Sequence, residues 1–384
     1  MDDRLWSLPG PRRFIAELVT TPGRHAAAVL PTVMADDPVV VDGLASAVIG
    51  LLRTRAGIGR RVNPAGSADP IDALRELEWD LPHTVGGILR HGLLAGDVAV
   101  LCAADLSPAA RAALPALLAR IDTESRALAH AQRLTVVTIG SRHDLPTLAG
   151  GQPDSPHFAP VWFWGRLSRW DTAAHVAAVG PTESGVLTDV RIETIVEVAA
   201  WDVDVAEELA QRWSGDPDEL FDELRASATA AKPAAVAASG TFRVPPVVVR
   251  RDWDDRRAEF WHERIHPGAY VADDADTLRS TVWAAQARIL LPWIEQRRNR
   301  LHALVRAALG GDYPRAVDLH LPGHGAAGPI EIGPLDRLIR HYPRLARFRD
   351  CSAALRDARN TLAHLSPMSL DQQNALVRWC GLLE

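Results

Sequence analysis

The chain has 384 residues, 47% of them hydrophobic and 23% charged, with a formal net charge of −6. That apolar content supplies two ordinary cores and excludes a disordered, collagen-like or disulfide-scaffold protein. No window approaches ~18 uninterrupted apolar residues and no apolar leader follows Met1, Asp2, Asp3 and Arg4, so a cytoplasmic protein without membrane contact is expected.

The first region alternates short apolar runs with helical patterns, which predicts a parallel sheet covered by helices, an α/β class. Residues 26–30, 98–103, 134–139 and 161–164 read as buried strands bounded by Gly, Pro, Asp or Ser. Ser107 and Pro108 start an Ala- and Leu-rich helix to about residue 120. From Ile192 to Arg225 the pattern is wholly helical, with a fresh start where Asp216 caps Pro217. Periodicity stops between Ala228 and Pro246, a stretch holding Pro233, Gly240, Pro245 and Pro246. The expected division is therefore a first domain over 1–235, a linker over 236–250 and an all-α domain over 251–384.

The last region reads as a long amphipathic helix from Leu278, kinked or restarted near Pro292, that runs to Gly310. A Gly- and Pro-rich stretch over 321–329 interrupts it. Helices from about Tyr342 to Leu365 and from Leu370 to Leu383 follow. Residues 250–384 carry 20 arginines against 17 acidic residues, so the rest of the chain holds the negative charge.

Among the 42 basic residues one is lysine, Lys232, within the Ala-rich stretch before Pro233. A phosphate-binding loop of the G-x-x-x-x-G-K-[ST] type needs its lysine on the β- and γ-phosphates, so hydrolysis through such a loop is not expected. The segment after the first strand, Pro31 to Asp37, contains neither glycine nor lysine. Two other strand ends are nevertheless polar: 98–105 ends in Asp105, and 134–142 ends in Ser141 and Arg142. In a nucleotide-hydrolysing site an acid so placed would hold Mg²⁺ or orient water, and the neighbouring tip would sense the terminal phosphate.

That order, a strand ending in Asp, a strand ending in Ser-Arg and then a helical lid opened by Gly215 to Pro217, resembles the STAND branch of the AAA+ P-loop NTPases over roughly residues 10–230. Without the lysine loop it is similar to the inactivated STAND-like modules of bacterial conflict and phage-defence systems. The resemblance implies a degenerate NTPase-like fold, no cofactor, a regulatory or scaffolding role toward a protein partner, and Asp105 and Arg142 as relics of a nucleotide site.

In the last region, Leu355, Ala358, Leu362 and Leu365 form a core stripe, while Arg356, Asn360 and His364 recur along another face. The spacing of Arg359, Asn360 and His364 resembles the signature of HEPN domains, helical bundles whose active members are metal-independent ribonucleases that work as dimers. It implies RNA as substrate, His364 as general acid or base, Arg359 on the scissile phosphate and Asn360 positioning it, in a homodimer built through the helical domain. The competing expectation is a solvated helix end.

A third pattern, His262, Glu263 and His266, matches H-E-x-x-H, in which two His on one helical face hold zinc and Glu acts as base. Charged Arg264 between the ligands and a helix-ending Pro267 count against it. No metal is expected. Cys102, Cys351 and Cys380 lack metal-type spacing and read as reduced, buried thiols. Trp162, Trp164 and Trp170 read as core or interface residues.

Overall fold

The computed structural model describes residues 3–20, 24–54, 58–62, 69–78, 80–129, 132–146, 158–180, 184–227, 243–267, 275–325 and 327–383. Contacts divide the chain into two compact units, residues 1–174 with 233–268 and residues 175–232 with 269–384. This division differs from the expected break at 236–250. The helices expected as a lid group with the second unit, and the segment around residues 243–267 groups with the first. Lys232 and residues 236–242 of the expected linker lie outside the described residues.

The first unit opens with helices α1 (Asp3–Ser7) and α2 (Pro9–Leu18), then β1 (His25–Leu30), α3 (Thr32–Ala35), α4 (Pro38–Thr54) and β2 (Gly59–Val62). Next come α5 (Pro70–Arg75), α6 (Val85–Leu89), β3 (Val98–Cys102), α7 (Pro108–Ser125), β4 (Thr135–Ser141) and β5 (Phe158–Trp162). The five strands form one parallel sheet in the order β2-β3-β4-β1-β5. Every residue of β1, β3 and β4 is buried, as expected of strands covered on both faces. Ser107 caps α7 through the Ala110 N–H at 3.2 Å, and Pro108 occupies its first turn.

The polar strand β2 carries Arg60 and Arg61 and gives no apolar signal. It holds its place at the sheet edge by pairing with β3 and by ion pairs, Arg60 with Asp97 at 3.3 Å and Arg61 with Asp105 at 2.9 Å. Helix α8 (Arg169–Val179) follows β5, with Asp171 reaching back to the Gly10 N–H at 2.7 Å.

The second unit contains α9 (Val186–Ala199), α10 (Val203–Arg212) and α11 (Pro217–Ser227). As expected, α11 starts at Pro217, and the Asp216 carboxylate accepts the Asp218 N–H at 3.0 Å. The chain then returns to the first unit with α12 (Arg250–Asp254) and an antiparallel hairpin of β6 (Ala258–Trp261) and β7 (Arg264–Pro267). Glu259 of β6 accepts the Gly165 N–H just after β5 at 2.7 Å, which ties this late segment to the sheet unit.

Helix α13 (Ala275–Leu309) runs 35 residues through Pro292 without a restart. Pro292 is on the exposed side, so the carbonyl that loses its partner there faces water. Helices α14 (Tyr313–His320), α15 (Ile332–His341), α16 (Arg349–Ala363) and α17 (Leu370–Cys380) pack on it around a Leu- and Ile-rich core. Arg288 of α13 pairs with Glu193 and Glu197 of α9, which draws that helix into this unit. Among the described residues no helix is long and apolar enough to cross a membrane.

Candidate functional site

At the carboxyl edge of the sheet the topology opens one crevice. After β1 the chain travels past β4 and β3 to β2, and after β4 it travels past β1 to β5, so the segments leaving these neighbours diverge. Ligands of open α/β sheets bind at such a switch point. Here β1 feeds α3, a single turn in which the Ala35 N–H bonds Pro31 O, Asp36 N–H bonds Thr32 O and Asp37 N–H bonds Met34 O. The amides of Ala35, Asp36 and Asp37 are thus spent inside the turn. Met34 and Ala35 are buried beneath it, and the buried Thr32 hydroxyl has no hydrogen-bond partner.

Across the crevice Asp144 follows β4 and is 5% exposed. It accepts from the Ser141 N–H at 2.8 Å, from the Ser141 hydroxyl at 2.7 Å, and from both Nε and Nη2 of Arg111, the latter at 3.0 Å. Arg111 projects from α7 and also binds Asp36 at 2.7 Å. Burial alone would push the Asp144 carboxyl up, but the bonds from Arg111 and Ser141 hold it below the ordinary carboxylate value.

Arg142 and Asp105, the expected strand-tip residues, sit at this edge with different partners. The Arg142 guanidinium donates to buried Asp254 at 2.5 Å, and His143 stands 3.7 Å from the same carboxylate. Asp105 ends a 3₁₀ turn after β3 and is clamped by Arg61, with contacts of 2.9–3.0 Å to both oxygens, while Arg61 also reaches Asp42 at 2.6 Å. Burial opposes a charge on Arg61, but Asp42 and Asp105 keep it firmly protonated. These clusters place Asp36, Asp42, Asp105, Asp144 and Asp254 against Arg61, Arg111 and Arg142, so acid exceeds base along the edge. A triphosphate would meet negative potential there. Sequence reading missed Arg61, Arg111, Asp144 and Asp254; of these only Asp144, three residues after β4, carried a signal of position.

The helical unit presents the other candidate. Leu355, Ala358 and Leu362 of α16 are buried as expected, whereas Leu365 is 66% exposed. Leu365 adopts φ +58° and ends the helix: its N–H bonds Leu362 O, and the Ser366 N–H bonds Thr361 O. This is a Schellman turn with leucine where glycine is usual. Helix α13 fixes the turn, because Trp283 Nε1 donates to Leu362 O at 2.7 Å and Gln286 brackets Met368, accepting its N–H at 2.6 Å and donating to its carbonyl at 3.0 Å.

On this scaffold Arg359, Asn360 and His364 are all exposed. Arg359 faces Glu331 at 3.3 Å, an exposed pair of small energetic weight. The side chains of Asn360 and His364 engage no partner among the described residues. Arg356, on the same face as Asn360 and His364 by spacing, turns instead to Asp336 of α15 at 2.5 Å. Asp336 is 2% exposed and also accepts from Ser352 Oγ at 2.6 Å and Arg340 Nε at 3.0 Å, so it joins α15 to α16.

The H-E-x-x-H pattern does not lie on a helix. His262 and Glu263 are the two turn residues of the β6–β7 hairpin, with φ of 50° and 66°, and His266 pairs with Glu259 in the ladder. Two positive φ values in a two-residue loop define the hairpin turn that suits right-handed strand twist, so no helix sets the two histidines on one face. Among the described residues no group of three or more His, Cys, Asp or Glu is placed to hold a metal ion. Trp162 and Trp164 are buried beside Trp253, while Trp170 is 74% exposed beneath the Arg169 guanidinium.

Comparison of the sequence with protein-family models gives no match, and comparison with curated proteins gives none either.

Proposed function

We propose that the protein is a non-hydrolytic, NTPase-like regulatory or scaffold component of a bacterial conflict or antiphage defence system, acting through a protein partner. The observation that carries this reading is the carboxyl edge of the sheet. The strand ending in Ser141 lies between β1 and the strand leading to Asp105, an order in keeping with this reading. The chemistry at that place differs from that of a hydrolytic site: the turn after β1 carries no lysine, its Ala35, Asp36 and Asp37 amides are bonded within it, and five carboxylates share three guanidiniums along the edge.

Titration with a fluorescent ATP analogue and Mg²⁺, together with a phosphate-release assay, tests the reading. Neither saturable binding at millimolar nucleotide nor turnover is expected. Turnover abolished by Asp105→Ala would overturn it.

The exposed and unengaged side chains of Asn360 and His364 favour one second reading, a metal-independent ribonuclease of the HEPN type that uses Arg359, Asn360 and His364 in a homodimer. Incubation of the full chain with cellular RNA in EDTA decides between them. Cleavage lost in His364→Ala supports the ribonuclease, and equal, unchanged RNA profiles support the scaffold.

A further inference from the structure

The core of the helical unit holds a pair of thiols that neither reading uses. Cys351 lies in the first turn of α16 and Cys380 ends α17, two helices packed along one another. The sulfurs are 3.6 Å apart, and the residues are 2% and 0% exposed. A disulfide needs ~2.05 Å between sulfurs, so an approach of about 1.5 Å joins them, within the range of small side-chain rotations on helices already in contact.

The two thiols differ in character. The hydrogen bond shared with Cys380 draws the Cys351 thiol below its ordinary value, with the Arg297 guanidinium acting in the same direction. The same hydrogen bond and burial push the Cys380 thiol up. Cys102, the third cysteine, has no sulfur beside it, and burial with the neighbouring Asp105 pushes its thiol up to about 12. A favoured nucleophile and an adjacent resolving thiol are the two parts that thiol–disulfide exchange requires.

We propose that Cys351 and Cys380 form a dithiol–disulfide couple, a redox modification site of the helical unit whose co-substrate is a low-molecular-weight disulfide. The Cys351 thiolate attacks one sulfur of the small disulfide, whose S–S bond breaks as one thiolate leaves, giving a mixed disulfide on Cys351. Cys380, yielding its proton to the departed thiolate, then attacks the Cys351 sulfur and expels the second small thiolate, which takes up the proton Cys351 had released. Two protein thiols are oxidised by two electrons, and the small disulfide is reduced to two thiols. The product clamps α16 to α17 and encloses the turn that carries His364. Because both sulfurs are buried, exchange proceeds through local opening of the helix pair.

The test uses the full chain, reduced and then incubated with excess oxidised glutathione, acid-quenched, alkylated and mapped by mass spectrometry. The expected product is lighter by two hydrogens and yields a peptide linking Cys351 to Cys380, with Cys102 alkylated. The oxidised chain should melt at a higher temperature than the reduced one, and dithiothreitol should reverse both changes. In Cys380→Ala the reaction should stop at a glutathione adduct on Cys351. Should that variant not fold, mapping of the native chain still decides. Three free thiols after a denatured control has oxidised, an adduct without the internal link, or a link through Cys102 would each overturn the proposal.

Discussion

The two units carry their polar groups in opposite ways. At the sheet edge of the first unit, Asp105, Asp144 and Asp254 are each bound to an arginine, and Asp144 and Asp254 are buried. In the second, Asn360 and His364 are exposed and their side chains engage no partner among the described residues, while the buried Asp336 bonds Ser352 and Arg356 of α16. A polar residue at a strand tip or on a helix face therefore says little until its partner is known. Charge satisfied internally holds the fold together, and charge left exposed is available to something else.

The largest effect should come from breaking the edge. Asp144→Ala removes the buried partner of Arg111, leaving it Asp36, and two bonds from Ser141, and is expected to cost about 3 kcal/mol in urea unfolding followed by tryptophan fluorescence. A loss below about 1 kcal/mol would mean that the edge does not stabilise the unit.

A second buried carboxyl of the first unit sharpens the contrast through pH. Burial pushes Glu259 up to about 7 from an ordinary 4.5, although N–H groups of Gly165, Phe260 and Trp253 donate to it. A carboxyl raised in the folded state contributes stability that is complete below its unfolded value and is lost as pH rises toward 7. The loss across that window is about 3 kcal/mol at most, and Glu259→Gln should flatten it. Asp144 has the opposite sign: its folded value is depressed, so its contribution is present above the unfolded value and vanishes as pH falls through the folded one. Denaturant midpoints measured from pH 3 to 8 separate the two windows.

Asp336→Ala in the second unit should cost a similar amount, about 2–3 kcal/mol, because it removes the buried acceptor shared by Arg340, Arg356 and Ser352. Smallest of all, His364→Ala should leave stability within about 0.5 kcal/mol. A large loss there would show that His364 belongs to the packing, and the contrast between the units would collapse.

The parallel sheet was legible because β1, β3 and β4 are apolar runs bounded by breakers, and the periodicity of the later helices was equally plain; the last strand, expected over 161–164, runs instead over 158–162, because Pro160 within it looked like a strand boundary. Strand β2 was not legible, since Arg60 and Arg61 look like solvent residues until Asp97 and Asp105 are placed beside them. The hairpin hid behind a helical-looking His262 to His266 pattern; its turn uses His and Glu at positive φ, where glycine or asparagine would have announced it. Pro292 suggested a break, but Leu290, Ile294, Leu301 and Val305 keep one buried face on both sides of it, and packing outweighs one lost hydrogen bond. The strand-tip residues Asp105 and Arg142 could be picked out by position. Their partners could not, because Arg61 and Asp254 lie 44 and 112 residues away.

Those separations bear on how the protein is made. Arg142 waits for Asp254, 112 residues later, and the Gly165 amide waits for Glu259, 94 residues later, with α9, α10 and α11 emerging from the ribosome in between. At a synthesis rate of ~5–20 residues per second, the sheet spends several seconds with that edge unsealed. A nascent chain halted near residue 235 would thus hold the five strands but neither Asp254 nor Glu259, and the window before residue 260 is when a chaperone would find the sheet most exposed.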